Sequence, residues 1–170
     1  MANSHLKQLL FGAAALVLCA IAAPAEAVLQ KGHSAPPIHT TTTAGKPLNS
    51  ASHKGQVLIV DFFATWCGPC KASIPFLNGL NKSYGKQGLQ IFGMSVDDEG
   101  EKHVNEFAAA RQISYPIALA SDELQSEYGI RSVPTLFVIN KKGVVAEKFQ
   151  GYSDVTGRAI ETLVKKLLTE

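Results

Sequence analysis

The chain is poor in the features that mark most specialised classes of protein. It has three cysteines in 170 residues, too few for a small secreted domain held together by several disulfides. Its net charge is only +2, so no surface for nucleic acid is indicated, and a hydrophobic content of 46% excludes disorder as the main state. One ordinary globular domain, with enough apolar residues for a buried core, is the class that remains.

The first 27 residues have the layout of a secretory signal peptide. Lys7 precedes an apolar run of 15 residues, Leu9–Ala23, and Ala25–Ala27 fits the small-x-small cleavage pattern. As a helix this run would span about 22 Å, short of the roughly 30 Å hydrocarbon core of a membrane. We therefore predict cleavage after Ala27 and export to the periplasm or another extracytoplasmic face. A retained N-terminal anchor and acylation at Cys19 are the alternatives.

Cleavage would leave 143 residues with only two cysteines, Cys67 and Cys70, three positions apart. Closing so short a loop stabilises a fold little, so a structural disulfide is not favoured. Structural zinc needs four ligands, and the histidines show no ligand spacing. The sequence therefore predicts neither a metal nor another cofactor.

Residues 28–37 are expected to form a flexible lead, and residues 38–170 a single domain. Strand and helix patterns alternate along this domain, which then ends with a β-hairpin and a helix. The predicted strands are Ile38–Thr43, Val57–Phe63, Leu89–Val96, Tyr115–Leu119, Pro134–Asn140 and Val144–Phe149; the predicted helices are Cys70–Tyr84, Lys102–Gln112, Glu123–Tyr128 and Asp154–Leu168, with Asp154 as the cap of the last. This order predicts an α/β fold with a mixed central sheet flanked by helices.

The segment Trp66-Cys67-Gly68-Pro69-Cys70 carries the clearest chemistry. It lies between a predicted buried strand and a predicted helix, which is the setting of redox-active Cys-x-x-Cys motifs. A helix N-terminus offers unpaired N–H groups and a partial positive charge, and both favour a thiolate over a thiol. The acidic run Asp97-Asp98-Glu99, by contrast, is interpreted as solvated charge.

At these motifs the chain resembles the exported TlpA/ResA-like disulfide reductases of the thioredoxin family. The resemblance runs from VDFFATWCGPCKASIP through GMSVDDE to YPIALASDELQSEYGIRSVPTLFVINKKGVV, and it covers about residues 35–168. It implies a thioredoxin fold with an extra strand–helix unit inserted at roughly Leu89–Leu119. It also implies dithiol–disulfide exchange.

The resemblance assigns three catalytic roles. Cys67 matches the exposed nucleophile that attacks a substrate disulfide, and Cys70 matches the buried thiol that resolves the mixed disulfide. Asp61 matches a buried acid that exchanges a proton with the resolving cysteine. The plainer interpretation is that Asp61 ends its strand and faces water, but Phe62 and Phe63 continue the apolar run beyond it.

Three further residues are implied to contact substrate. Trp66 flanks the nucleophilic sulfur, Val133 offers backbone hydrogen bonds to the substrate chain, and Pro134 matches a cis-proline that faces the disulfide. Without the resemblance, Pro134 would be expected to follow an ordinary trans bond, and Trp66 would be a packing residue. Pro75 matches the proline that kinks the active-site helix.

Three positions depart from the family's pattern. Ser73 stands where many of these reductases have an acidic residue, and Asp61 stands where many have asparagine. Gly93 occupies the expected position of a lysine that accompanies the buried acid in many thioredoxins. These departures leave Asp61 without an obvious cationic partner.

The predicted function is reduction of disulfides in exported proteins, with apocytochrome c among the candidate substrates. A membrane thiol-electron carrier is the implied reductant, and a monomer is expected. One alternative is a thiol peroxidase on the same fold, but Thr65 lies two residues before Cys67 and the proline of the peroxidase motif is missing. A non-catalytic copper metallochaperone is the other alternative, although such proteins use a wider cysteine spacing and a distal histidine.

Overall fold

A five-stranded sheet forms the centre of the computed structural model, which describes residues 29–170; the predicted signal peptide lies outside the described residues. The strands of this sheet are β3 (Val57–Phe63), β4 (Leu89–Ser95), β5 (Ile117–Leu119), β6 (Thr135–Ile139) and β7 (Val145–Gln150), in the order β5-β4-β3-β6-β7. β3 is parallel to β4 and β4 to β5, whereas β6 is antiparallel to β3 and β7. The predicted mixed sheet is confirmed.

The described residues form four α-helices that cover the sheet: α1 (Gly68–Tyr84), α2 (Gly100–Ala110), α3 (Asp122–Glu127) and α4 (Asp154–Thr169). Alternate residues of β3 point to opposite faces, so its continuous apolar sequence supplies two cores. On one face, Val57 and Ile59 pack with residues of α1 and α4, and on the other Leu58 and Val60 pack with α3. None of the described helices combines the length and the apolar character that crossing a membrane requires.

From residue 57 onward, each predicted strand and helix begins and ends within two residues of the corresponding observed boundaries. The unit β4–α2–β5 occupies the place predicted for the inserted strand and helix. The predicted cap of the last helix is wrong: the hydroxyl of Ser153 accepts the backbone N–H of Thr156 at 3.2 Å, and Asp154 is the first helical residue.

The N-terminal part of the described chain differs most from expectation. A short strand β1 (His39–Thr41) pairs with β2 (Pro47–Asn49), a segment for which no strand is predicted. Residues 29–37 do not form a flexible lead. Gly32 N–H donates to the Val145 carbonyl at 2.8 Å, Val145 N–H donates to His33 at 2.9 Å, and Leu29 is buried in the core. These backbone hydrogen bonds hold the segment along β7.

Candidate active site

The two cysteines lie where the end of β3 leads into the first turn of α1. They form a disulfide, with their Cα atoms 5.3 Å apart. Cys67 is the N-cap residue of α1, and its sulfur accepts the backbone N–H of Cys70 at 3.2 Å. The same N–H would stabilise a thiolate on Cys67 in the reduced form, because it is one of the unpaired donors of the helix N-terminus.

The disulfide is covered by apolar side chains. Cys67 is 5% exposed and Cys70 is 1% exposed, in a cluster with Phe63 of β3 and Val104 of α2. The expectation of an exposed nucleophile is therefore corrected: in the disulfide form only an edge of Cys67 reaches solvent. Because Val104 belongs to α2, the inserted unit forms part of the wall around the sulfurs.

Asp61 lies in β3 and is only 2% exposed. Its Oδ1 atom has no hydrogen-bond partner among residues 29–170, and burial raises the pKa of this carboxyl to about 7. The interpretation that Asp61 ends the strand and faces water is thereby excluded. A carboxyl with a pKa near neutrality can both accept and release a proton under ordinary conditions, as a general acid or base must.

Packing around Gly93 explains why no lysine accompanies Asp61 at that position. Gly93 of β4 is its partner in the sheet register, and a Cβ atom at Gly93 would lie 3.2 Å from the rings of Phe63 and Tyr115. These rings occupy the space that a longer side chain would need. Burial and, second, the charge of Asp61 raise the pKa of Tyr115. The acid thus lies among aromatic rings, and no cation in the described part of the chain pairs with it to stabilise its ionised form.

The residues that the resemblance assigns to substrate binding border the same site. The Val133–Pro134 peptide bond is cis, which confirms that prediction, and Val133 packs against the cluster that contains both cysteines. Trp66 is 65% exposed, so it is not a core packing residue. Ser73 is buried, and its hydroxyl donates to the Cys70 carbonyl at 2.9 Å.

A polar network that the sequence does not indicate lies directly before the cysteine motif. Asp97 is 7% exposed, which corrects its interpretation as a solvated charge. It accepts the Thr65 backbone N–H at 2.9 and 3.1 Å, the Thr65 hydroxyl at 2.6 Å and the Ser95 hydroxyl at 2.6 Å. The available signal was its place just after β4, because the carboxyl ends of parallel strands β3 and β4 meet at one sheet edge.

His103 of α2 completes this network. Its Nε2 lies 2.9 Å from the Thr65 hydroxyl, which has a single hydrogen and donates it to Asp97. His103 must therefore be the donor, since a carboxylate can only accept. Ligand atoms of Asp97, Glu99 and His103 lie within 4.8 Å of one another, but both oxygens of Asp97 already accept hydrogen bonds from Thr65 and Ser95. The network joins the cysteine loop to β4 and α2.

A Cys-x-x-Cys disulfide at a helix N-terminus, with a cis-proline segment beside it, defines a thioredoxin-fold dithiol–disulfide protein. The chain belongs to the Redoxin family, whose profile matches residues 30–167, and within it to the ResA-like thiol–disulfide oxidoreductases. It is 30% identical over 140 residues to the thiol-disulfide oxidoreductase ResA of Bacillus anthracis, across 82% of this chain and 79% of that protein.

Two further similarities support this assignment. The thioredoxin-like protein YneN of Bacillus subtilis is 28% identical over 123 residues, which cover 72% of each chain. The crystal structure of a thiol:disulfide interchange protein of the thioredoxin family from Chlorobium tepidum TLS superimposes with a TM-score of 0.73 at 33% identity, across 81% of this chain and 97% of that one. The predicted fold, family and enzyme class are confirmed: the protein is a thioredoxin-like thiol–disulfide oxidoreductase.

Proposed function

We propose that this oxidoreductase works outside the cytoplasm and reduces disulfides in exported proteins. The observation that carries the proposal is the Cys67–Cys70 pair at the N-terminus of α1, directly after the exposed side chain of Trp66. The signal-peptide pattern of residues 1–27 supports the location. The Gly-Pro dipeptide between the cysteines resembles that of reducing thioredoxins.

The first step is attack by the Cys67 thiolate on one sulfur of a substrate disulfide. A bond forms between that sulfur and Cys67 Sγ, the substrate S–S bond breaks, and the other substrate sulfur leaves as a thiolate that takes up a proton. The Cys70 N–H, 3.2 Å from Cys67 Sγ in the oxidised form, favours the attacking anion. Trp66, Val133 and Pro134 would contact the substrate chain during this step.

The second step resolves the mixed disulfide. The Cys70 thiol gives up its proton and attacks Cys67 Sγ, which releases the second substrate sulfur as a thiolate. Two electrons have then passed from the protein to the substrate, and the protein holds the Cys67–Cys70 disulfide. Asp61 is the proposed acceptor of the Cys70 proton, because the burial that raises its pKa to about 7 makes its carboxylate a competent base.

Continued turnover requires a dithiol donor that returns two electrons to Cys67 and Cys70. Outside the cytoplasm this donor would be a membrane thiol-electron carrier, and the substrates would be oxidised cysteine pairs in exported proteins, including apocytochrome c before haem attachment. Both assignments follow from the resemblance to exported reductases.

Redox titration of the Cys67–Cys70 couple against dithiothreitol tests the direction of the reaction. A reductase is expected to have a potential of about −270 mV, and a value of about −120 mV would indicate an oxidase instead.

Trapping of mixed disulfides in cells tests the partners. The variant Cys70→Ser keeps the nucleophile but cannot resolve the mixed disulfide, and Cys67→Ser is the matched control. Mixed disulfides with exported proteins should accumulate only in the Cys70→Ser strain; their absence would contradict the proposal.

A further inference from the structure

A groove of about 460 Å³ lies beside Trp66, between the cysteine loop and the inserted helix α2. We call it the α2 groove and define it by Trp66, Lys71, Glu99, His103, Phe107 and Arg111. Resting on the proposed function, we propose that the α2 groove binds an acidic segment of the substrate protein next to its target disulfide. It would thereby select among oxidised proteins.

The walls of the groove are aromatic and preformed. Trp66 directly precedes the nucleophile and exposes 65% of its surface, although large apolar side chains are normally buried. Phe107 of α2 stacks on Phe63 with ring centroids 6.2 Å apart and an interplanar angle of 23°. Because Phe63 belongs to the rigid central strand, Phe107 is held in place without substrate. Binding therefore requires little ordering of the groove.

The charge of the groove comes from two cations. Lys71 lies in the first turn of α1, where its N–H donates to the Cys67 carbonyl at 3.1 Å, and Arg111 follows α2 with its guanidinium 5.8 Å from the Phe107 ring centroid. Among residues 29–170, neither cation forms a salt bridge. The single acid of the groove, Glu99, lies within 4.8 Å of a ring nitrogen of His103.

The combination of aromatic faces and unpaired cations determines the kind of partner. A substrate cysteine bonded to Cys67 brings its neighbouring residues past Trp66, where stacking accepts almost any side chain. Carboxylates on those residues would find Lys71 and Arg111 free, whereas lysines would meet like charge. An acidic segment is therefore favoured over a basic one, and the effect acts on the rate of the first step.

The test compares three disulfide-bonded peptides of identical length, with glutamate, glutamine or lysine flanking the cysteines. Second-order rate constants are measured with the reduced protein at low salt. Since exposed ion pairs each contribute little, we expect the glutamate peptide to react only about three- to tenfold faster than the lysine peptide. The ratio should approach one in 0.5 M salt and in the variant Lys71→Gln/Arg111→Gln.

Lys82→Gln/Lys86→Gln is the matched control, because it also removes two positive charges. Both lysines are exposed, form no salt bridge among the described residues, and lie at or beyond the last turn of α1, away from Lys71 in its first turn. This variant should keep the wild-type ratio. An equal loss in Lys82→Gln/Lys86→Gln would mean that overall charge, not the groove, sets the preference, and would overturn the inference.

A neutral disulfide, bis(2-hydroxyethyl) disulfide, separates this inference from the proposed function. Failure of the wild-type protein to reduce any disulfide would contradict the proposed function. Normal reduction of the neutral disulfide with equal rates for the glutamate and lysine peptides would overturn the α2 groove alone. Glutathione disulfide, a small anionic disulfide, is the last substrate tested. If it reacts faster than the neutral disulfide while the glutamate and lysine peptides react equally fast, the groove binds small anions, and the inference is overturned.

Discussion

Asp61 and Asp97 are two buried carboxyl groups close to the ends of neighbouring parallel strands, and their surroundings are opposite. Asp97 accepts hydrogen bonds from a backbone N–H and from two hydroxyls, those of Thr65 and Ser95. Asp61 has an oxygen without a hydrogen-bond partner in the part of the chain that the structure describes, and it lies among aromatic rings. The two aspartates are similarly buried, but the carboxyl oxygens of Asp97 have hydrogen-bond donors and Oδ1 of Asp61 has none among the described residues.

This difference indicates a structural role for Asp97 and a role in proton transfer for Asp61. A carboxylate that accepts several hydrogen bonds holds its donors in place, so Asp97 anchors the loop that leads to Trp66 and Cys67. A buried carboxyl without partners is stabilised in its protonated form, which is why burial raises the pKa of Asp61 to about 7. Each of the following predictions changes one side of this comparison.

The largest expected effect comes from Asp61→Asn. Because the folded state keeps a proton on Asp61 that the unfolded state has already lost, stability falls as the pH rises from about 4 to about 7. A change in pKa from 3.8 to about 7 corresponds to a loss of about 4 kcal/mol. Asparagine cannot ionise, so the variant should be more stable than the wild type at pH 8 by about that amount, and nearly equal at pH 4.

Denaturant unfolding of both oxidised proteins, at intervals from pH 4 to pH 8, measures this difference. Other groups titrate in both proteins and cancel when the two curves are subtracted. Parallel curves would show that Asp61 is hydrated or paired in solution. In the reduced state the same variant should slow release of the mixed disulfide at Cys70, while attack by Cys67 is retained.

Asp97→Ala should lower the free energy of unfolding, by somewhat less than Asp61→Asn raises it at pH 8. It leaves the Thr65 N–H and two hydroxyls without their acceptor, which costs about 3 kcal/mol. Asp97→Asn, which keeps one oxygen, should cost less than Asp97→Ala. Urea unfolding at pH 7 tests the order, and a neutral effect of Asp97→Ala would mean that the network does not anchor the loop.

The two carboxyl groups also differ in how far they could be predicted from sequence. Asp61 interrupts an apolar run that continues through Phe62 and Phe63, and a strand buried on both faces leaves its side chain no route to water. The acidic run that begins at Asp97 follows a strand and resembles any solvated turn. Its burial depends on β4 lying in parallel register beside β3, a long-range fact that residue types alone do not contain.

The same distinction holds for the rest of the fold. Strands and helices after residue 57 follow from apolar periodicity, because most of their partners are apolar side chains. The segment from Leu29 to Ala35 is held by backbone hydrogen bonds to the β7 region, which leave no pattern in the side chains. The cis bond at Pro134 and the roles of Cys67 and Cys70 were predictable only through the resemblance to a known family.

Gly93→Ala tests whether packing is what keeps a side chain away from Asp61. The added Cβ atom would lie 3.2 Å from two aromatic rings, and overpacking of this kind costs about 1–3 kcal/mol. Gly79→Ala is the matched control, since a Cβ atom at Gly79, a helical position, meets nothing within 4 Å. Thermal unfolding should place Gly93→Ala well below the wild type and Gly79→Ala at or above it; equal melting temperatures would show that the rings yield readily.

The smallest expected effect is that of His103→Ala, on the Asp97 side of the comparison. It removes one hydrogen bond at the surface, from His103 to Thr65, which contributes about 0.5–1 kcal/mol. Asp97 keeps its own donors, so the loop should remain anchored. Because His103 and Asp61 share no partner, the double variant Asp61→Asn/His103→Ala should show additive changes in unfolding free energy within about 0.5 kcal/mol. A larger coupling would mean that the unsatisfied carboxyl and the satisfied one act as a single unit across β3 and β4.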